Sequence, residues 1–376
     1  MKPIRMVDLA TQYQHIKSEI DSAIMNVLGH SGYINGPEVK AFQASLESYL
    51  NVKHVIPCAN GTDALQVAMM ALGLKPGDEV ITASFTYVAT AEVISLLGLT
   101  PVLVDVYPET FNIDPSAIEA AITPKTKAIV PVHLFGQCAD MESIMDIARK
   151  HNLFVIEDTA QAIGAEYTFK DGSKKYAGTI GKVGTTSFFP SKNLGCYGDG
   201  GAIFTNDDAL ADNLRMICNH GQSKLYTHDV IGVNSRLDSI QAAVLNTKLA
   251  HLNQYSSKRV LLADSYDRAF ANEPKLSTPK RTEHSTHVFH QYTLKLNGLD
   301  RMGLKTYMES KGIPCMIYYP IPLHMQKAFK DERYKEGMFP VTEMLCSCVV
   351  SLPMHTEMDE EQINYVTSNL LNYLKN

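Results

Sequence analysis

The chain has 376 residues, more than the roughly 250–300 at which one hydrophobic core stops growing, so two domains are expected. Its 34 basic and 40 acidic side chains leave a net charge of -6. That balance argues against a nucleic-acid or membrane-surface binder and leaves room for a small anion held by a few local donors.

The first segment, "MKPIRMVDLATQYQ", has basic residues but no apolar stretch behind them, so it does not read as a signal peptide. "HVIPCAN" reads as a strand ending at Asn60, and "GTDALQVAMMALGL" as the helix after it. Strands over "DEVITASF", "PVLVDV", "KAIVPVHLF" and "LFVIEDTA" then alternate with helices over "TAEVISLLG", "PSAIEAAI" and "MESIMDIARKH". "VGTTSFF" and "GAIFTND" add two more strands. Continuous apolar strands alternating with helices predict an α/β fold with a mainly parallel seven-stranded sheet covered on both faces.

Near residue 246 the texture changes. One long helix is predicted over "SRLDSIQAAVLNTKLAHLNQYSSKRVLLADSYDRAF". Strands at "HQYTLKL", "PCMIYY" and "CVVSLP" come after it, with helices at "GLKTYMESKG" and "DEEQINYVTSNLLNYL". The expected division is a large domain over residues 1–245 and a smaller α+β domain over 246–376, with the N-terminal helix packed near the latter. Seven cysteines, an odd number with no C-x-x-C, read as reduced, mostly buried thiols of a cytoplasmic protein.

In open α/β sheets, ligands bind beyond the carboxyl ends of the strands, and three strand ends carry chemistry. In "CANGTDAL", Asn60 or Thr62 can cap a helix whose free amides suit a phosphate, and Gly61 lets the backbone approach it. The bland reading is a plain cap. In "LFVIEDTAQAIG", a strand runs into Glu157 and Asp158, whose carboxylates are costly to bury without a partner. Asp158 either caps the next helix or faces a cationic ligand atom, with Gln161 one turn on. In "SFFPSKNLGCYGDGGAIFTND", Ser187 ends a strand and Lys192 lies beyond it in a glycine-rich turn. Lys192 is either a solvated loop charge or a desolvated amine nucleophile.

Together, a phosphate cradle, an acid for a pyridine nitrogen and an imine-forming lysine are the parts of a pyridoxal phosphate site. "VIEDTAQAIGAEY", "SFFPSKNLGCYGDGGAIFTND" and "GVNSRLDSIQAAVL" resemble the signature blocks of the DegT/DnrJ/EryC1/StrS sugar aminotransferases, and the resemblance covers essentially the whole chain. It implies a fold-type I pyridoxal phosphate transferase that aminates keto sugars on nucleotides. By that resemblance Lys192 is the aldimine lysine and Asp158 the pyridinium partner. Gln161 would contact the ring's phenolic oxygen, Gly61, Thr62 and Ser187 the phosphate, and Tyr87 the ring face. Asn234 would reach the cofactor phosphate of a neighbouring subunit, implying a homodimer with shared sites. His220, Arg236, Tyr318, Tyr319 and His324 would line the sugar-nucleotide site. The blocks "NHGQSKLY", "YYPIPLHMQ" and "VVSLPMH" carry a narrower likeness, to members acting on a UDP-linked 2-acetamido-3-oxo-glucuronate in surface polysaccharide synthesis, with glutamate as donor.

Other readings compete. Another 3- or 4-keto sugar can be the acceptor. A sugar dehydratase on the same scaffold would carry histidine in place of Lys192. A non-catalytic regulator would keep the fold alone. His284, His287 and His290 are spaced for a metal on a helix, but "VFHQYTLKL" reads as a strand, where that spacing alternates faces. His133 is expected at the site rim or in the core.

Overall fold

The computed structural model describes residues 2–375. Helices α1 (Leu9–His15), α2 (Lys17–His30) and α3 (Pro37–Leu50) precede the first strand. The sheet is then built in steps: β1 (His54–Cys58), α4 (Gly61–Ala71), β2 (Glu79–Ala83), α5 (Ala89–Leu96), β3 (Thr100–Val104), α6 (Pro115–Ala121), β4 (Thr126–Val130), α7 (Met141–His151) and β5 (Phe154–Asp158). A short hairpin, β6 (Glu166–Thr168) and β7 (Lys174–Tyr176), leads to β8 (Val183–Ser187), β9 (Gly201–Thr205) and α8 (Asp208–Cys218).

The seven strands lie in the order β1-β9-β8-β5-β4-β2-β3. Only β9 opposes its neighbours, pairing antiparallel with both β1 and β8. All other pairs are parallel. The carboxyl ends of β1, β2, β5 and β8 therefore share one edge with the start of β9. The strands are apolar along their length because helices cover both faces: Ile81, Ile129 and Val155 pack into one buried cluster and Val80, Ala128 and Ile156 into another. That alternation of neighbouring residues between two cores is what the continuous apolar runs encode.

A second hairpin, β10 (Gln222–Lys224) and β11 (Thr227–His228), leads to α9 (Ser239–Leu249) and α10 (Leu252–Phe270). The single long helix expected here is broken at Ala250–His251, where the amides of both residues turn back to the Lys248 carbonyl or sit outside the helical register. Packing dictates the break. Ala242 and Leu245 bury with α3 residues, whereas Leu262, Tyr266 and Phe270 bury in a separate core. That core also takes β12 (Leu276–Ser277), β13 (Tyr292–Leu296), α11 (Arg301–Ser310), β14 (Val349–Leu352) and α13 (Glu360–Lys375), the three strands forming an antiparallel sheet, whereas α12 (Pro340–Cys348) packs Leu345 and Cys346 into the sheet cluster of Ile81 and Ile129. "PCMIYY" is not a strand. It makes one bridge, Met316 to Ser351, and otherwise runs as a loop. Ile4 reaches the same core from the N-terminus.

All seven cysteines are unpaired and six are buried. No helix among the described residues is long and apolar enough to cross a membrane.

Candidate functional site

The carboxyl edge of the sheet brings three strand ends into contact. Asn60 caps α4, its side-chain oxygen accepting from the Asp63 amide at 2.8 Å. The Gly61 and Thr62 amides, in the first turn, find no protein acceptor among the described residues. A Cβ on Gly61 would lie 2.6 Å from the Ser187 Cβ, and one on Gly201 would lie 2.4 Å from the Asn60 carbonyl. Glycine at both positions lets the β1–α4 turn, the end of β8 and the start of β9 close on one another. The result is a helix N-terminus with free amides and the Ser187 hydroxyl beside it, a chemistry suited to a phosphate.

Asp158 ends β5 and is 6% exposed. One carboxylate oxygen accepts from the Thr90 hydroxyl at 2.8 Å and the other from the Ala160 amide at 3.1 Å. The preceding residue, Glu157, points the other way into the core. There it accepts from His133 Nε2 and from the Gly178, Ile180 and Gly181 amides. His133 thus belongs to the core rather than to the rim. Its Nδ1 accepts from the Ala139 amide, which leaves the proton on Nε2 for Glu157.

Lys192 lies in the turn between β8 and β9, its amide bonded to the Phe189 carbonyl at 2.8 Å. Part of its stem still meets solvent, yet the amine is covered by protein. Desolvation brings its pKa down to about 8, against the opposing pull of the Asp158 charge. The turn is held from beneath by Lys248, whose buried ammonium donates to the Gly195 carbonyl at 2.6 Å. Neither Thr90 nor Lys248 carries a sequence signal that would single it out, since each is one polar residue in a helical pattern.

Gln161 is anchored at both ends of its amide. Its oxygen accepts from the Phe135 amide at 2.8 Å, and its nitrogen donates to the Tyr319 hydroxyl at 3.1 Å. The Tyr319 ring also meets Phe85 and Tyr87, with centroids 6.0 and 6.3 Å apart. Burial, the nearby Asp158 charge and the neighbouring tyrosines raise the Tyr319 phenol's pKa, so it stays protonated. Tyr87 stands 58% exposed at the mouth, and Tyr318 packs against Tyr319. Asp158, Gln161, Lys192, Tyr87 and Tyr319 thus face one region at the sheet edge.

His220, Asn234 and Arg236 form a separate strip. Asn219 bridges Asn234, and the His220 amide donates to the Val233 carbonyl at 2.9 Å. Ser235 turns inward, its hydroxyl accepting from the Ala59 amide at 3.1 Å. In extended chain its neighbours turn outward: Asn234 is exposed, and Arg236 makes no ion pair among the described residues. His324 behaves differently from the expectation. It is 3% exposed and both ring nitrogens are engaged, Nδ1 with Ser84 and Nε2 with Glu343. No ring nitrogen of His324 is turned to the cleft.

Against known proteins, a sequence from Geobacillus stearothermophilus described as a pleiotropic regulatory protein is 47% identical over 374 residues, 99% of both chains. A UDP-2-acetamido-2-deoxy-3-oxo-D-glucuronate aminotransferase from Pseudomonas aeruginosa is 47% identical over 369 residues, 98% of this chain and 100% of its own. The crystal structure of NtdA from Bacillus subtilis with bound cofactor PMP superposes with a TM-score of 0.88 at 34% identity, covering 99% of this chain and 83% of that one. The match to a family profile runs over residues 14–371, from α1 to α13, and takes in every strand end described above. By that match this chain belongs to the DegT/DnrJ/EryC1/StrS aminotransferase family.

Proposed function

We propose that this protein transfers an amino group from glutamate to a keto-sugar nucleotide, with UDP-2-acetamido-2-deoxy-3-oxo-glucuronate as the acceptor, using pyridoxal 5'-phosphate. The observation that carries the reading is Lys192, an amine brought to about pKa 8 beside the Asp158 carboxylate at the edge where the α4 amides are free.

The residues fit the cofactor. The cradle closed by Gly61 and Gly201 offers amides and the Ser187 hydroxyl to a phosphate. Asp158, held by Thr90, offers a fixed anion to a protonated pyridine nitrogen. Gln161, its oxygen taken by the Phe135 amide and one amide hydrogen by the Tyr319 hydroxyl, keeps its second amide hydrogen for an acceptor in the cleft, with Tyr87 beside it to cover a ring face. When bound, the cofactor supplies an electron sink and a carrier for the amino group.

The protein's own work is to bind and to move one proton. Lys192 Nζ would hold the cofactor at its aldehyde carbon and would be the base that moves the proton at the donor Cα. With the keto sugar it delivers a proton to the carbon that gains nitrogen. A single amine of pKa near ambient pH serves both directions. Arg236 and His220 suit the anionic sugar nucleotide, and Tyr318 and Tyr319 present apolar faces with polar tips.

A homodimer with shared sites completes the reading. Asn234 is exposed, and the half-buried Arg236 has no ionic partner among the described residues. Close in sequence, Leu225 is 75%, Tyr226 84% and Ile231 86% exposed. Exposed apolar side chains bordered by polar groups suit an interface between copies, whose centre is apolar and whose rim is polar. A regulatory role without catalysis, suggested by the description of the Geobacillus relative, gives no reason for a desolvated amine beside a buried carboxylate. A dehydratase would need histidine at 192.

The test is spectroscopic. Purified protein loaded with pyridoxal phosphate should show a visible band that glutamate bleaches and the 3-keto sugar restores, with the aminated sugar found by mass spectrometry. A band indifferent to glutamate and to other amino donors would remove the aminotransferase reading.

A further inference from the structure

The cleft wall is joined by a buried relay that the reaction itself does not use. The Ser84 hydroxyl lies 2.8 Å from His324 Nδ1, and His324 Nε2 lies 3.1 Å from Glu343 Oε1. Ser84 also accepts from the His324 amide at 3.4 Å, which leaves its own proton for Nδ1. Nε2 then carries the ring proton and donates to Glu343. Ser84 is 1% and His324 3% exposed. Against the penalty of its partial burial, the Gly337 and Phe339 amides and His324 hold the Glu343 carboxyl below its usual range, so it stays an acceptor.

Each member fixes a different segment. Ser84 comes directly after β2 and opens the loop that carries Phe85 and Tyr87, and its carbonyl accepts from the Leu323 amide at 3.0 Å. His324 closes the segment that begins with Tyr318 and Tyr319. Glu343 rides on α12, whose N-terminus is held by Asp105 beyond β3. The Asp105 carboxylate accepts from the Val341 amide at 3.0 Å and from the Thr342 amide and hydroxyl at 2.8 and 2.7 Å. Tyr319 meets both Phe85 and Tyr87 across this seam. The relay therefore pins two walls of the cleft to each other and to a helix fixed on the sheet. Asp158 on β5, Gln161 in the turn after it and Lys192 in the β8–β9 turn are not members of the relay, with Gln161 meeting the wall at the Tyr319 hydroxyl.

Resting on the aminotransferase reading above, we infer that Ser84, His324 and Glu343 are positioning residues that set the separation of the Tyr87 and Tyr318–Tyr319 walls, and so the fit of the sugar nucleotide rather than the chemistry at Lys192. A small donor amino acid reacts at the sheet edge and needs little of that span. A sugar nucleotide occupies it. Loosening the relay acts on the second half-reaction and spares the first.

The experiment separates the half-reactions on holoenzyme. Glu343→Gln turns an amide against a ring N–H or the Gly337 amide. His324→Asn keeps the Ser84 bond and loses the reach to Glu343. Expected for both is a visible band of normal intensity, bleached by glutamate at the wild-type rate. The concentration of keto-sugar nucleotide needed for half-maximal recovery of the band should rise roughly tenfold. Ser84→Ala, the smallest change, should give a shift in the same direction and stands in if His324→Asn does not fold. Combining Ser84→Ala with Glu343→Gln should add little to either alone, because both act through one imidazole. Wild-type sugar dependence in the variants overturns the proposal. So does an equal fall of both half-reactions, which would mark a general loss of structure or of cofactor contact. A wild-type protein that glutamate does not bleach would instead remove the reading on which it rests.

Discussion

Glu157 and His133 meet at 2.9 Å with no exposure of either side chain, one residue before the carboxylate that faces the cleft. Strand alternation places these neighbouring acids in opposite environments. Glu157 ties the 178–181 turn and β4's exit to β5, and so holds the strand end from which Asp158 projects. Glu157→Gln keeps the shape but turns an NH2 group against N–H donors whichever way it lies. We expect a loss of about 3 kcal/mol or more, the scale of leaving buried polar groups unpaired. Urea unfolding of the apo protein measures it, and an unchanged midpoint would mean that these donors do not need the charge.

Lys192 should take up the cofactor in a pH-dependent way. Burial lowers its pKa to about 8, so below that pH the amine is mostly protonated and cannot attack an aldehyde. The rate at which the visible band appears on adding pyridoxal phosphate to apo protein should rise as pH increases through about 8, then level off. An ordinary lysine would keep rising towards about 10.4. Lys192→Ala should give no such band and lose turnover by roughly a thousandfold, within the range of removing a catalytic base. Stopped-flow absorbance over a pH series decides between the two profiles.

Asp158→Asn should retain cofactor and lose kcat. The amide oxygen can still accept from the Ala160 amide while its NH2 group donates to the Thr90 hydroxyl, which can turn to accept, so the loop geometry survives and the charge is removed. A neutral partner no longer favours a protonated pyridine nitrogen. We expect kcat to fall by roughly two to three orders of magnitude, as for loss of one preorganised electrostatic partner, with a small change in cofactor affinity. An equal kcat would exclude Asp158 as that partner.

The strands of the sheet and the lysine turn were legible because both obey local rules: apolar runs for strands buried on two faces, and glycines where turns must close. The break at Ala250–His251 was not, since neither residue is a helix breaker and the cause is that α9 and α10 serve different cores. "PCMIYY" has strand composition, but it spends its side chains on the cleft wall and makes a single bridge. Helix α12 went unseen because its cap is supplied by Asp105, 236 positions away from Val341. His324 was legible as a residue of the site region, but its partners Ser84 and Glu343 come from distant segments, so its engagement at both nitrogens could only be seen in three dimensions.

The proposed sharing of sites between subunits can be tested by complementation. If Asn234 serves the partner's phosphate, Asn234→Ala should weaken cofactor retention on dialysis without altering the fold. A dimer of one Asn234→Ala subunit and one Lys192→Ala subunit then has one site with both defects and one with neither. Mixed samples, dissociated and reassembled, should regain activity that neither variant shows alone. A chain that sediments as a fully active monomer is incompatible with this arrangement.

The choice of acceptor turns on Arg236, a cation without an ionic partner among the described residues, beside the exposed His220 and Asn234. A guanidinium in that state is suited to a bidentate contact with a carboxylate or a phosphate. If it pairs with the sugar's own carboxylate, a 4-keto-6-deoxy sugar on the same nucleotide leaves the cation desolvated and unpaired in the closed complex. Such a mismatch is costly, so kcat/KM for the 3-keto glucuronate should exceed that for the deoxy sugar by roughly a hundredfold or more. Arg236→Leu should shrink the ratio by lowering the rate with the acid while changing the deoxy sugar little. If Arg236 instead holds the diphosphate, both substrates lose equally in the variant and the ratio is preserved. A wild-type enzyme that prefers the 4-keto sugar would reassign the acceptor and leave the roles of Lys192 and Asp158 as they stand.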